Sequence, residues 1–282
     1  MKLKLSRVAL TTMSLLPLLT ACGGADNKDY QPKEKTLEVK AIDGYLRGAI
    51  VWLDVNGNNL LDSDEPHALT TAGGRAALDV TALGTKSGEY PLMVEVIAGQ
   101  TIDESAPETE ITQGYVMTAP AGYKVITPLT TLVQLQILAG KTQAQAEAAV
   151  KKMLQQDIAP SVDYIEKDKP VTAGQAATLV RLLPVTAANL ANQKADLEAG
   201  ATLLGNLVAE NPEKAEEIDF THVVLIPSQQ AGEVSLDRDG DGVSDKKDAF
   251  PTDKSEWLDT DKDGTGNNAD ADDDNDGWAD VD

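Results

Sequence analysis

The clearest chemistry in this 282-residue chain lies in its last 47 residues, where carboxylates recur at fixed spacing. Asp237, Asp239, Asp241, Asp245 and Asp248 stand in DRDGDGVSDKKD, and Asp259, Asp261, Asp263, Asn267 and Asp270 in DTDKDGTGNNAD. Asp272, Asp274, Asp276 and Asp280 open the same frame a third time. The template is D-x-D-x-D-G-x-x-D-x-x-D, with Gly242, Gly264 and Gly277 following the third acid. Alternate carboxylates of an extended segment point one way, and the Gly lets the chain turn round what they hold. That is chemistry for a hard cation such as Ca²⁺, which takes several oxygen ligands at flexible distances. Residues 236–282 carry 17 acidic against five basic side chains, a net charge of −12. They repel one another unless a cation intervenes. Three Ca²⁺ would supply +6. Phe250, Trp257, Trp278 and a few aliphatics are too little for a core. Metal ligation would have to provide the folding free energy that burial does not. Without it the segment reads as an acidic disordered tail.

A further candidate loop is DVNGNNLLDSDE, residues 54–65. Counted as twelve positions, it places Asp54, Asn56, Asn58, Asp62 and Glu65 at 1, 3, 5, 9 and 12, with the Leu60 carbonyl available at 7. This is the ligand spacing of an EF-hand loop. It departs at position 6, where Asn59 replaces the usual Gly; Asn tolerates the left-handed conformation better than most residues. The bland reading is a solvated Asn/Gly hairpin.

These loops need a scaffold. Short β-branched runs separated by turn residues, at Leu37–Ile42, Gly48–Leu53, Tyr90–Ala98, Tyr115–Thr118 and Lys124–Ile126, predict an antiparallel β-sandwich over 37–126. Trp52, in the apolar AIVWL run, is expected in its core. Thr127 followed by Pro128 starts a helix, Thr142 with Gln145 forms a capping box, and Thr172 with Gln175 repeats the signal. Residues 127–220 therefore read as a helical domain, an antiparallel bundle of four or five helices. The expected fold class is multidomain α+β: small β-sandwich, helical bundle, linker over 221–235, then irregular Asp-rich repeats over 236–282.

The tail resembles the thrombospondin type 3 repeat, a calcium-binding module without regular secondary structure, and DAFPTD at 248–253 matches its bacterial form. The resemblance implies that the frame residues named above are Ca²⁺ ligands. The segment Gly48–Leu78 resembles the Cna-B and carboxypeptidase-regulatory-like sandwiches of bacterial surface proteins; a dockerin would pair two such loops with helices. VITPLTTLV at 125–133 looks like a junction recurring in bacterial surface lipoproteins. At the N-terminus Lys2, Lys4 and Arg7 precede a short apolar stretch, Val8–Leu19, and then Leu-Thr-Ala-Cys22, which resembles a lipoprotein lipobox. The stretch is too short to span a bilayer. The expectation is a signal peptide over 1–21, a lipidated Cys22 followed by a flexible tether to residue 36, and outer-membrane anchoring, because Gly23 replaces the Asp that the resembling proteins use for inner-membrane retention. The third frame wants an acid at position 283, which favours a chain continuing beyond Asp282.

Composition excludes more than it suggests. A net charge of −22 argues against nucleic acid. One Cys and two His leave no disulfide framework and no Cys-based zinc site. GxSxG, HExxH, P-loop and GxGxxG motifs are missing from the sequence. The reading is a non-catalytic, calcium-binding, lipid-anchored envelope protein acting in calcium-dependent adhesion or surface organisation through a protein or glycan partner. The alternative is a polysaccharide- or partner-binding accessory module, for which Tyr45, Tyr90, Tyr115 and Tyr123 are the candidate aromatics.

Overall fold

A computed structural model describes residues 34–210 and 212–280. The expected signal peptide, Cys22 and most of the tether lie outside the described residues.

Alternation of apolar and polar side chains builds the first strands. In β1 (Thr36–Ala41), Val39 and Ala41 face inward; in β5 (Arg75–Asp79), Ala76 and Leu78 do. These two pair antiparallel, Thr36 opposite Asp79. The short β9 (Val125–Ile126) joins the other side of β1 in parallel, so this three-stranded sheet departs from the all-antiparallel expectation. Parallel pairing here follows from connectivity: the chain returns to β1 only after passing through the second sheet.

That second sheet is antiparallel, in the order β4 (His67–Leu69), β3 (Ile50–Leu53), β6 (Leu92–Val96), β8 (Tyr115–Ala119). Apart from the exposed Glu95 of β6, its central strands are apolar on both faces, and Trp52 is buried as expected. The two-residue strands β2 (Leu46–Arg47) and β7 (Ile102–Asp103) pair beside it. The turn into β5 uses Gly73 and Gly74, both at positive φ. A Cβ on Gly74 would lie 2.3 Å from the Ala41 carbonyl oxygen, so only Gly fits.

The TPLTT run explains how helices meet sheet. Helix α1 (Pro128–Leu138) begins with Pro at N1, and the Thr127 hydroxyl accepts from the amides of Leu129 and Thr130 at 3.1 and 3.0 Å. Strand β8 has only one strand neighbour, so its outer polar groups need other partners. The Thr131 hydroxyl accepts from Thr118 N, and Thr130 donates to the Thr118 carbonyl at 2.9 Å. Pro184 O accepts from Val116 N at 2.9 Å. Thus α1 seals the sheet edge.

Helix α2 (Gln143–Leu154) carries the expected Thr142–Gln145 capping box. Helix α3 (Pro170–Leu179) starts two residues before the Thr172 expected to cap it, with Lys169 at the cap and no side-chain bond. Thr172 and Gln175 are buried instead, because Gln175 is used across the core: its amide donates to the carbonyls of Leu154 and Leu204. Helix α4 (Lys194–Glu210) buries Leu197, Ala201, Leu204 and Val208 on one stripe. Gly205 lets α4 approach α2 closely; a Cβ there would meet the Met153 carbonyl oxygen at 1.9 Å.

Residues 221–235, expected as a linker, hold β10 (Val224–Pro227) and the start of β11 (Val234–Asp237), an antiparallel hairpin. Val223, Leu225, Val234 and Leu236 join the same apolar core as both sheets and all four helices. The chain is thus mixed α+β, with small, mainly antiparallel sheets, helices packed on them, and an Asp-rich C-terminal stretch. Among the described residues no helix is long and apolar enough to cross a membrane.

Candidate metal centre

Strand β11 runs directly into the first Asp frame, because Asp237 is both the last residue of the strand and the first of the frame. In each frame the leading Asp folds the following residues around itself. Asp237 accepts from Gly240 N and Gly242 N at 2.7 and 3.1 Å. Asp259 accepts from Lys262 N and Gly264 N at 2.7 and 3.2 Å. Asp272 accepts from Asp276 N and Gly277 N, both at 3.0 Å. The third and fifth residues then repeat one pattern, each carboxylate capping the amide two residues on. Asp239, Asp261 and Asp274 cap Asp241, Asp263 and Asp276, which in turn cap Val243, Thr265 and Trp278.

These bonds require a curled backbone, not the extended one expected from carboxylate alternation. Position 6 is left-handed in all three frames, at Gly242, Gly264 and Gly277. So is position 4, held by Gly240, Lys262 and Asn275 with φ of 72, 67 and 54°. Two left-handed residues flanking position 5 turn the first, third and fifth side chains inward. Three triplets result: Asp237, Asp239 and Asp241; Asp259, Asp261 and Asp263; Asp272, Asp274 and Asp276. Within each, one oxygen per carboxylate lies within 4.8 Å of the others. Such an all-oxygen, multiply charged cluster can hold a metal ion and is compatible with Ca²⁺.

The first triplet passes a stricter test. Asp239 is only 8% exposed, and the Oδ2 atoms of Asp239 and Asp241 are buried without any hydrogen-bond partner. Burial, then the nearby carboxylates of Asp241, Asp248 and Asp237, raises the Asp239 pKa. Orphaned buried carboxylate oxygens are costly and rare. A cation resting against them removes both the desolvation and the repulsion.

Positions 9 and 12 lie outside the triplets. Position 9 is a clasp: Asp245, Asn267 and Asp280 accept from the amide of position 2, namely Arg238, Thr260 and Asp273. Their own amides donate to Leu236 O, Leu258 O and Ala271 O. Asp245 also takes the Arg238 guanidinium at 2.8 Å, and Arg238 reaches on to Glu210 of α4 at 3.0 Å. Asp248 caps Phe250 N, and Asp270 caps Asp272 N. Arg238 and the left-handed position 4 carried no signal in the frame, since the template leaves both positions free.

Residues 54–65 form the β3–β4 connection and reproduce the same local fold. Asp54 Oδ2 accepts from Asn59 N at 3.1 Å, the bond that Asp237 makes to Gly242. Asn56 caps Asn58 N, and Asn58 caps Leu60 N. Positions 4 and 6 are again left-handed, at Gly57 and Asn59, φ 76 and 62°. The carboxylates of Asp54, Asp62 and Glu65 do not form a compact triplet, because Asn occupies positions 3 and 5. Both amides donate to Asp62 Oδ2, and Glu65 is held by Val55 N and Asp62 N.

The two histidines have ordinary partners. His67 Nδ1 lies 2.8 Å from Glu65 O, and His222 Nδ1 lies 3.0 Å from Asp219. Tyr115 and Tyr123 are buried, and Tyr45 and Tyr90 partly so. Comparison with protein-family models, with curated proteins and with solved structures finds no match. What the chain itself shows is a mixed α+β body ending in metal-competent Asp frames.

Proposed function

We propose that this protein is a non-catalytic, calcium-binding component of the cell envelope, anchored through a lipidated Cys22, whose Asp-rich tail becomes a stiffened arm for calcium-dependent adhesion or surface organisation. The observation that carries the calcium reading is the pair of orphaned, buried Asp239 and Asp241 oxygens inside a triplet repeated twice more along the tail. The charge arithmetic supports it, since counter-ions held in the frames offset the self-repulsion of an arm of net charge −12. The envelope reading rests on the lipobox-like LTAC and the basic, apolar leader before it.

The adhesion role has a direct test. Cells displaying the full chain are compared for attachment in calcium and in chelator, beside cells displaying a D241N/D263N/D276N variant. Attachment lost on chelation and lost in the variant supports the role. Attachment equal in all four conditions refutes it.

A further inference from the structure

We propose that residues 54–65 form a fourth divalent-cation site, built into the hairpin between β3 and β4, which takes Ca²⁺ through oxygens of Asp54, Asn56, Asn58, Asp62 and Glu65. This goes beyond the tail reading and does not depend on it. The loop belongs to a different element, has its own core contacts, and replaces two carboxylates of the frame by amides.

The first support is an orphan. Asp54 is 2% exposed, and its Oδ1 is buried with no hydrogen-bond partner. Its other oxygen accepts from Asn59 N across the loop, so the carboxyl lies over the ring of backbone that residues 54–59 describe. A buried carboxylate oxygen with nothing to receive costs desolvation free energy that the fold does not return. Asp54 sits there because it directly follows Leu53, whose strand is locked by pairing with β6. An apolar residue would remove that cost at once; a cation removes it while using the charge.

The second support is the match to the first tail frame, where orphaned oxygens recur at positions 3 and 5. Both loops use left-handed residues at positions 4 and 6, and the same 1-to-6, 3-to-5 and 5-to-7 bonds. Here positions 3 and 5 are Asn56 and Asn58, whose amide oxygens are adequate Ca²⁺ ligands. Glu65 supplies the carboxylate at position 12. It is 5% exposed and already fixed by two backbone amides, so it needs no ordering, and each of its oxygens keeps a free lone pair. Asp62 is held only by the two Asn amide groups, which reorient when their oxygens turn to an ion. Once those amides reorient and release Asp62, three carboxylates can close on one divalent ion, a set near charge balance that selects for a hard cation over a thiophilic one.

Terbium, a Ca²⁺ surrogate, reads this site through tryptophan. Trp52 lines the same cavity as Asn59 and Leu60, whereas Trp257 and Trp278, the other two tryptophans, lie in the tail. Both are exposed, at 45 and 79%, so W257F/W278F leaves the full chain folded with Trp52 as sole antenna. The expected result is saturable Tb³⁺ emission on tryptophan excitation, displaced by Ca²⁺ and unchanged when D241N/D263N/D276N is added. In the same background, D54N and D62N each weaken Tb³⁺ binding at least about tenfold. D62N alters a partly exposed carboxylate, so it decides the matter if D54N fails to fold. Emission that is absent, or that survives D62N unchanged, overturns the proposal. Loss of emission with the tail substitutions overturns it too, by placing the ion in the tail, whereas failure of the tail reading leaves the Trp52 signal untouched.

Discussion

Chelating calcium is expected to lower the melting temperature of the full chain in two parts: Asp241→Asn removes the share of the first triplet and leaves that of residues 54–65, whereas Asp263→Asn and Asp276→Asn leave the response nearly intact. The asymmetry follows from where the frames sit. The first frame is continuous with β11, whose Val234 and Leu236 belong to the main core. Arg238 ties it to Glu210 of α4, and a Cβ on Gly240 would lie 2.7 Å from His222 O. Unfolding the body therefore destroys the first site. The second and third triplets are far more exposed, and their frames are tied to each other, as in the bond from Asn267 to Asp273. Ions held there would bias the arm more than the body.

An ion at about 100 times its dissociation constant stabilises the folded state by about 2.7 kcal/mol. For a chain of this size that is a shift of roughly 5–10 °C. The variant carries a second signature. Asn at 241 keeps the oxygen that caps Val243 N and removes one of the mutually repelling carboxylates. In chelator, D241N is therefore more stable than the unsubstituted protein, and in calcium it is less stable. Thermal unfolding followed by circular dichroism in both buffers checks the crossing. Parallel curves without a crossing would remove the first triplet from the account.

Asp43→Asn is expected to stabilise the protein at pH 8 and to have little effect near pH 4. Asp43 follows β1 at the turn into β2, with Oδ2 accepting from the Tyr115 hydroxyl at 2.8 Å and Oδ1 buried and unpartnered. Burial, with some repulsion from Asp103, pushes its carboxyl up to about 7 against an ordinary 3.8. The charged or ionisable groups facing it are Tyr115 of β8, Asp103 of β7 and Tyr164, whose hydroxyl donates to the Ile42 and Asp43 carbonyls. The folded state thus holds a proton that the unfolded chain releases near pH 4. The stability linked to that proton is complete below about pH 4 and disappears as pH rises to about 7. A shift of about three units corresponds to roughly 4 kcal/mol, and partial solvent access to the residue brings it to about 2–4 kcal/mol. Asn keeps an oxygen for Tyr115 and has no proton to lose. Urea unfolding of both proteins at pH 4, 6 and 8 measures the difference, in which the tail carboxylates cancel. A difference that stays constant with pH would show that burial does not raise the Asp43 pKa.

What could be read from the sequence was local. The Asp frames, their Gly at position 6, the Thr127 cap, the capping box at Thr142 and the larger strands follow from spacing and from short-range backbone chemistry. What escaped was set by distant partners. Nothing near Gln175 indicates that its amide bridges the last residue of α2 and the middle of α4, so it imitated a helix start. Thr130 and Thr131 look like ordinary helix residues until β8 arrives with an unpaired edge. Lys262 and Asn275 do not advertise a left-handed backbone; the leading Asp, by collecting amides from positions 4 to 6 of its frame, imposes it. Val223 to Leu236 resembled a linker because only four of its apolar side chains are buried, each against helices or loops remote in sequence. For the same reason a truncation at Val234 is a poor way to remove the tail, since it takes half of a core hairpin with it. Substitutions at position 5 leave that hairpin whole.

The central claim, that the tail triplets bind calcium, is tested most directly by calcium titration calorimetry of the full chain beside D241N/D263N/D276N, both first stripped with chelator. The account predicts binding heat in the unsubstituted chain at a stoichiometry about three ions higher than in the variant, with any remaining site assigned to Asp54–Glu65. Equal stoichiometry in the two proteins, or no calcium heat in either, would contradict it.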